Sequence, residues 1–327
     1  MSSVAPTARE MGDIGSALRN EVAAMSLAKS VGDPDLQGRI YTSLMRYFRE
    51  LQRPELAIFF GMDAVNSFQQ IRTNIFGLAK DVQAGFAQSK SSTYRELAEL
   101  LVQSDRLGEA EQVIDLLKEE ELKELVRGAP SNTAAKVEPL ILTEAQQKTQ
   151  RELAAPEKTA AALTGLSLEY AALQAKATRT YEEDARLKTL DAQIEAGNGE
   201  VSDFFKKRIY PELAQKGDIK DANDLLSRAK AEVSHLQNTL ADLGPRVMGI
   251  RLLLGEENAY AIVVTAHTRE KFELKATPAE LRSKVLQVRD DLRSSSSDPK
   301  PHLAELYAMV VAPFEKELKV LEHIPTA

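Results

Sequence analysis

Apolar residues recur three and four positions apart through the N-terminal part of the chain, the spacing that gathers them on one helix face. Tyr94, Leu97, Ala98 and Leu101 predict one such face, and Ala110, Ile114 and Leu117 a second. Asp105-Arg106-Leu107-Gly108 lies between them as a turn, and the small Ala98 and Ala110 let the two backbones approach closely. The same pattern occurs earlier. Tyr41, Leu44, Met45 and Phe48 are followed by Gln52-Arg53-Pro54 and then by Ala57, Gly61 and Ala64, with Pro54 suited to a helix start. Between the two pairs, Val65–Ser92 keeps helical spacing at Ile71, Ile75, Leu78, Val82 and Phe86. It predicts an extended helix plus one further turn or helix, closed by Ser89-Lys90-Ser91-Ser92 before a Thr93–Glu96 capping box. Leu18–Val31 predicts a further helix, ending at Gly32-Asp33-Pro34.

Both pairs fit the helix–turn–helix template of the tetratricopeptide (TPR) repeat, against the simpler alternative of two generic amphipathic helix pairs. The pattern then changes. Gly128-Ala129-Pro130-Ser131-Asn132 predicts a break, after which Leu163, Leu166, Tyr170, Leu173 and Ala177 alternate at three and four residues. Leu187, Leu190 and Ile194 resume this after a Thr180–Glu183 capping box. A second heptad run passes through Ala222, Leu226, Ala229, Val233, Leu236, Leu240 and Leu243. Gly197-Asn198-Gly199 reads as the break between two arms of an antiparallel hairpin. The rival reading is an intermolecular coiled coil that makes a homodimer.

Beyond Gly244-Pro245 the periodicity becomes that of strands. Arg246–Leu254, Ala259–Thr265 and a segment around Phe272 and Leu274 predict three strands, with turns at Gly255–Asn258 and at His267-Thr268-Arg269. Thr277-Pro278-Ala279-Glu280 then carries a helix-start proline and a capping box. That helix is expected to reach about Arg293, and after a Ser294–Pro301 linker a last one spans Leu303 to about Leu318. The expected fold is mainly α. Residues 1–127 would form TPR-like helical repeats, 128–243 a helical spacer with a coiled-coil hairpin, and 244–327 a small incomplete α/β block.

Composition narrows the function. The chain has 327 residues and a formal net charge of −7, which offers no basic footprint for nucleic acid. It contains no cysteine, which excludes a disulfide, a zinc–thiolate site and a cysteine nucleophile within these residues. No nucleotide-binding or metalloprotease motif occurs, and His235, His267, His302 and His323 lack metal-ligand spacing. No cofactor is expected. With no signal-like N-terminus and no long apolar span, a cytoplasmic protein without membrane contact is expected. Phe204-Phe205-Lys206-Lys207-Arg208 predicts aromatics packed inward and bases facing water. One surface has candidate chemistry. On the first helix of each pair, Arg39, Thr42, Arg46 and Arg49, then Arg95 and Glu99, flank the packing positions and would line a concave groove. The three arginines on the earlier helix face, Arg39, Arg46 and Arg49, suit a carboxylate-rich peptide or a C-terminus, against the plain alternative of a solvated face.

The order of parts also carries a resemblance. YRELAELLVQSDRLGEAEQVIDLLKEEE from Tyr94 and LAIFFGMDAVNSFQQIRTNIFGL from Leu56 resemble the TPR region of bacterial CHAT proteins, and the heptad hairpin follows in the expected place. LGPRVMGIRLLLGEENAYAIVVTAHTREKFEL from Leu243 and SDPKPHLAELYAMVVAPFEKEL from Ser297 are similar to the opening of the CHAT domain, a relative of caspase-like cysteine peptidases. The resemblance implies protein or peptide binding through the TPR part and peptide-bond cleavage by the complete domain. The family's catalytic His and Cys would fall beyond residue 327, and His323-Ile324-Pro325 is not followed by the His motif. No catalytic residue carries over, so the expected role is the interaction portion of such a protein. The alternative is a scaffold or regulator without chemistry.

Overall fold

The computed structural model describes residues 8–75, 80–125, 139–209, 211, 237–244, 247–266, 268–294 and 297–322. In chain order the helices are α1 (Ala8–Val31), α2 (Pro34–Glu50), α3 (Pro54–Ile75), α4 (Lys80–Gln103), α5 (Leu107–Leu125), α6 (Glu144–Glu152), α7 (Ala154–Gln174) and α8 (Tyr181–Phe204). Strands β1 (Gly249–Leu254), β2 (Ala259–Val264) and β3 (Arg269–Glu273) follow, then α9 (Pro278–Arg293), α10 (Lys300–Val310) and α11 (Glu315–Glu322). The fold is therefore mainly α with one small sheet, as the sequence pattern implied. The expected break at Gly128–Asn132, the heptad run from Ala222 to Leu236, and His235, His267 and His323 lie outside the described residues. The chain divides into two compact units, Met1–Phe76 with Lys136–Ala222 and Gly77–Ala135 with Asn223–Ala327. Each draws on two separated stretches of chain, whereas the sequence suggested three consecutive segments.

The described elements of the first unit are all helices. Pro34 opens α2, and Asp33 caps it by accepting from the backbone N–H groups of Asp35 at 2.9 Å and Leu36 at 3.2 Å. The helix stops where Gln52 takes a left-handed φ of 57°, and Pro54 starts α3. Tyr41, Leu44, Met45, Phe48, Ala57, Gly61 and Ala64, the positions picked out by the repeat template, are all buried. Close approach of the two helices needs Gly38, since a Cβ there would sit 2.2 Å from the Phe68 ring. Aromatics fill the interior: Phe48 stacks on Phe60 at 5.4 Å and on Phe205 at 5.8 Å, and Tyr41 stacks on Phe60 at 6.3 Å. Phe205 begins a π-helical turn, Phe205–Ile209, that leaves Lys206, Lys207 and Arg208 in solvent. The inward aromatic and outward bases agree with the sequence reading.

An antiparallel hairpin does form, but between α7 and α8, with its turn at residues 175–180 and the Thr180–Glu183 capping box in place. The expected break at Gly197-Asn198-Gly199 is corrected: α8 runs straight through it. Gly197 serves packing instead, because a Cβ there would lie 2.5 Å from the Leu163 methyls across the hairpin. Helix α1 packs against α2, α7 and α8, held by Arg19 donating to Ser167 Oγ at 2.7 Å and by Lys29 donating to Glu157 at 2.6 Å.

The second unit places a helix pair, a sheet and three helices together. Helices α4 and α5 form a hairpin turned at Asp105, whose φ is 60°. Tyr94, Leu97, Ala98, Leu101, Ala110, Ile114 and Leu117 are all buried, as the template requires. The capping box expected at Thr93–Glu96 does not start a helix, because α4 already runs from Lys80 through Thr93. Thr93 and Glu96 are 3% and 2% exposed inside it, so packing overrides the local start signal.

The sheet is antiparallel with order β1-β2-β3. Its register aligns Arg251, Ile262 and Lys271 across one face, and Leu252, Ala261 and Phe272 across the other. On that second face Ala259, Ala261 and Val263 pack with Leu274, Leu281 and Phe314, and with partly buried Leu306, Met309 and Val310. Helices α4 and α5 contact the sheet through β1 and β3. With every residue of β2 buried, its unbroken AYAIVV run follows, since a strand covered on both faces has no reason to alternate. The start of α9 has both expected devices, Pro278 and the Thr277–Glu280 box. The single last helix is corrected to two: α10 ends at Val310, a 3-10 turn Ala312–Phe314 intervenes, and α11 resumes at Glu315. Pro313, which has no N–H to donate, accounts for the interruption.

Candidate functional site

The residues proposed for a peptide groove fall into both units. In the first, Arg39 and Arg46 of α2 are exposed and Arg49 is half-buried, while Thr42 is buried and its hydroxyl donates to the Gly38 carbonyl at 2.8 Å. In the second, Arg95 is half-buried and Glu99 is 4% exposed. Glu99 has a defined task there. Its carboxylate accepts from the backbone N–H of Glu256 at 3.0 Å, and from the backbone N–H and side-chain amide of Asn258, both at 3.2 Å. It thus fastens the turn between β1 and β2 to α4. Gly255 makes room for it, since a Cβ at that position would come within 2.5 Å of the carboxylate.

Glu99 is one member of a larger set. Arg251 of β1 pairs with Asp115 of α5, Arg269 with Glu111 at 3.0 Å, and Lys271 with Asp105 at 2.6 Å. Lys271 also donates to the Val102 carbonyl at 2.9 Å, at the C-terminal end of α4 where the helix dipole favours a cation. Burial pushes the Glu111 carboxyl above its ordinary range, with Arg269 and Arg251 opposing the shift. Among the described residues, Glu111 Oε1 and Arg269 Nε have no hydrogen-bond partner. This pair is therefore held by a single contact in a largely dry setting. Sequence reasoning missed the clasp. Its signal was present as Glu111 and Asp115, one turn apart on α5, and Arg269 and Lys271, two apart on β3.

The two edges of the sheet differ. Strand β3 (REKFE) is charged at four of its positions, which discourages pairing with another strand. Strand β1 (GIRLLL) has one charge, and that charge is engaged with Asp115. Ile250 and Leu252 of β1 are each 43% exposed, and Val285 and Leu286 of α9 and Leu303 and Tyr307 of α10 are exposed as well. Among the histidines, His302 is described. Its Nδ1 lies 2.5 Å from Asp291, a contact that ties α10 to the end of α9.

The first unit contains a cleft of about 520 Å³ between α2, α3 and residues 139–150. Asp63 lines it, 6% exposed, and its two carboxylate oxygens accept from the Gln150 amide at 3.2 and 3.4 Å. Burial raises its carboxyl to about 7, opposed by the Lys29 ammonium and by the Gln150 bond. Tyr41, also lining the cleft, has its hydroxyl pushed above the usual phenol range by burial and by the nearby Asp63 and Glu157. One wall is strapped in place, as Asn66 donates to the Leu140 carbonyl at 3.0 Å and accepts from the Leu140 N–H at 2.7 Å. Among the described residues no group of acids and histidines could hold a metal, and no helix is long and apolar enough to cross a membrane. Comparison with family models, with curated proteins and with solved structures found no match to the chain.

Proposed function

We propose that the chain is the protein-binding portion of a TPR–CHAT-like protein, with the complete form a caspase-like cysteine peptidase. The observation that carries this reading is the sheet edge. An apolar, nearly uncharged β1 with Ile250 and Leu252 each 43% exposed is a template for another strand, and an edge left so is normally covered by further protein. The partly exposed Val285, Leu286, Leu303 and Tyr307 of the helices beside the sheet support the same idea. Chemistry would come from elsewhere, because a chain with no cysteine cannot supply the thiolate of a cysteine peptidase. In the first unit, Arg39, Arg46 and Arg49 on α2 would contribute to holding an acidic peptide.

The test is the mass of the native protein in its own cells, detected with an antibody against residues 1–120. A species well above 36.1 kDa that carries a Cys and a His downstream supports the reading. A single band at 36.1 kDa contradicts the peptidase part and leaves a scaffold. For the α2 surface, Arg46→Glu with Arg49→Glu should abolish capture of an acidic partner, and unchanged capture removes the groove from the account.

A further inference from the structure

We propose that the cleft of the first unit binds the protonated end of a slender organic cation, an alkylammonium or a guanidinium, with Asp63 as its counter-ion. The site is independent of the TPR–CHAT reading. The starting point is a charge in an unfavourable place. A carboxylate that is 6% exposed is costly unless it is paired, and Asp63 has no hydrogen-bonded cation among the described residues. Its donor is a neutral amide, Gln150. The cation acting on it, Lys29 of α1, gives its own hydrogen bond to Glu157 of α7 at 2.6 Å. An Asn at this position would satisfy Gln150 without the cost of the charge, so the structure alone does not account for an acid there.

The cleft around Asp63 suits such a ligand. Its volume of about 520 Å³ accommodates an extended chain rather than a single ion. Pro139, Leu140 and Leu142 provide an apolar side against which methylenes can lie, and Gln70 adds an amide oxygen that can accept from a ligand rich in N–H. The wall is preformed, since Asn66 is fixed by Leu140 and Gln147 donates to the Leu142 carbonyl at 2.9 Å. The charged and titratable groups acting on Asp63 or beside it are Lys29 from α1 and Tyr41 from α2, and Glu157 of α7 acts on Tyr41 in turn. Tyr41, its hydroxyl pushed up by burial, stays neutral across the working range, and Asp63 is the group that titrates between pH 6 and pH 8.

Two sources could deliver this chemistry, a free polyamine or a basic side chain of a peptide, and calorimetry on the whole chain separates them. Spermidine and a short uncharged-backbone peptide bearing one Lys and one Arg would be titrated at 150 mM salt, at pH 8 and pH 6. Binding is expected at pH 8 with at least one of them, about tenfold weaker at pH 6 as a carboxyl near 7 takes up its proton. Asp63→Asn should weaken it at least tenfold at pH 8, with circular dichroism verifying that the fold is kept. Heat from spermidine alone identifies a small polyamine, and heat from the peptide identifies a basic segment. No heat from either at millimolar concentration, or an Asp63→Asn protein that binds equally well, overturns the proposal.

Discussion

The two helix pairs α2–α3 and α4–α5 match one sequence template at every packing position, yet they belong to different units and serve different neighbours. In α2–α3 the outer surface meets further helices, and the contact is aromatic: Phe48 and Phe60 continue their stack into Phe205. In α4–α5 the outer surface meets a sheet, and the contact is polar: Glu111 and Asp115 pair with strand arginines, and Glu99 holds the β1–β2 turn. The inner positions determine that a hairpin forms. In α4–α5 the residues between them determine what the hairpin packs on, whereas in α2–α3 the packing position Phe48 itself reaches Phe205.

This contrast can be broken from either side. The largest loss is expected in the aromatic stack, where Phe48→Ala should cost about 3–5 kcal/mol and melt the first unit ahead of the second in a thermal scan. An effect of similar size and opposite sign is expected at Asp63. Its carboxyl lies near 7 in the folded chain and near 3.8 when unfolded, so the folded state holds the proton more tightly. The first unit should therefore lose stability as pH rises from about 4 to about 7 and change little above that. Asp63→Asn removes this dependence and should stabilise the ligand-free protein by about 3–4 kcal/mol at pH 8, with little gain at pH 4. Urea titrations of both proteins at the two pH values read the difference.

In the second unit, Arg269→Met leaves Glu111 buried beside no cation of its own. A loss of about 3 kcal/mol is expected, recovered in large part by adding Glu111→Gln. Glu99→Ala should cost less, about 1–3 kcal/mol, through the unsatisfied N–H groups of the β1–β2 turn. Faster amide exchange at Glu256 and Asn258 is the local signature to look for.

Much of this was legible in the chain. Helix pairing followed from small and large residues at fixed spacing, and the caps at Thr180 and Thr277 are where Ser/Thr-x-x-Glu placed them. The misses share a cause, which is that a local signal has no knowledge of its neighbours. Thr93–Glu96 has the form of a cap, but both residues are buried within α4, and a continuous helix packs better there than a new start. Gly197 and Gly199 have the composition of a turn, but Leu163 of the facing helix needs the space of the first. From its place beside the packing positions, Glu99 reads as a groove residue. Its true partner is a turn more than 150 residues away in sequence, where Asn258 lies 159 positions on. The cleft at Asp63 could not be anticipated, because residues 139–150 come to it from far along the chain.

The α4–α5 pair belongs to the sheet unit and not to the unit of α2–α3. Hydrogen exchange with mass spectrometry on the native protein and on Arg269→Met tests it most directly. Protection should fall together across residues 94–117 and 259–264, while residues 41–64 exchange as before. Equal loss over 41–64, or unchanged protection over 94–117, would contradict the account.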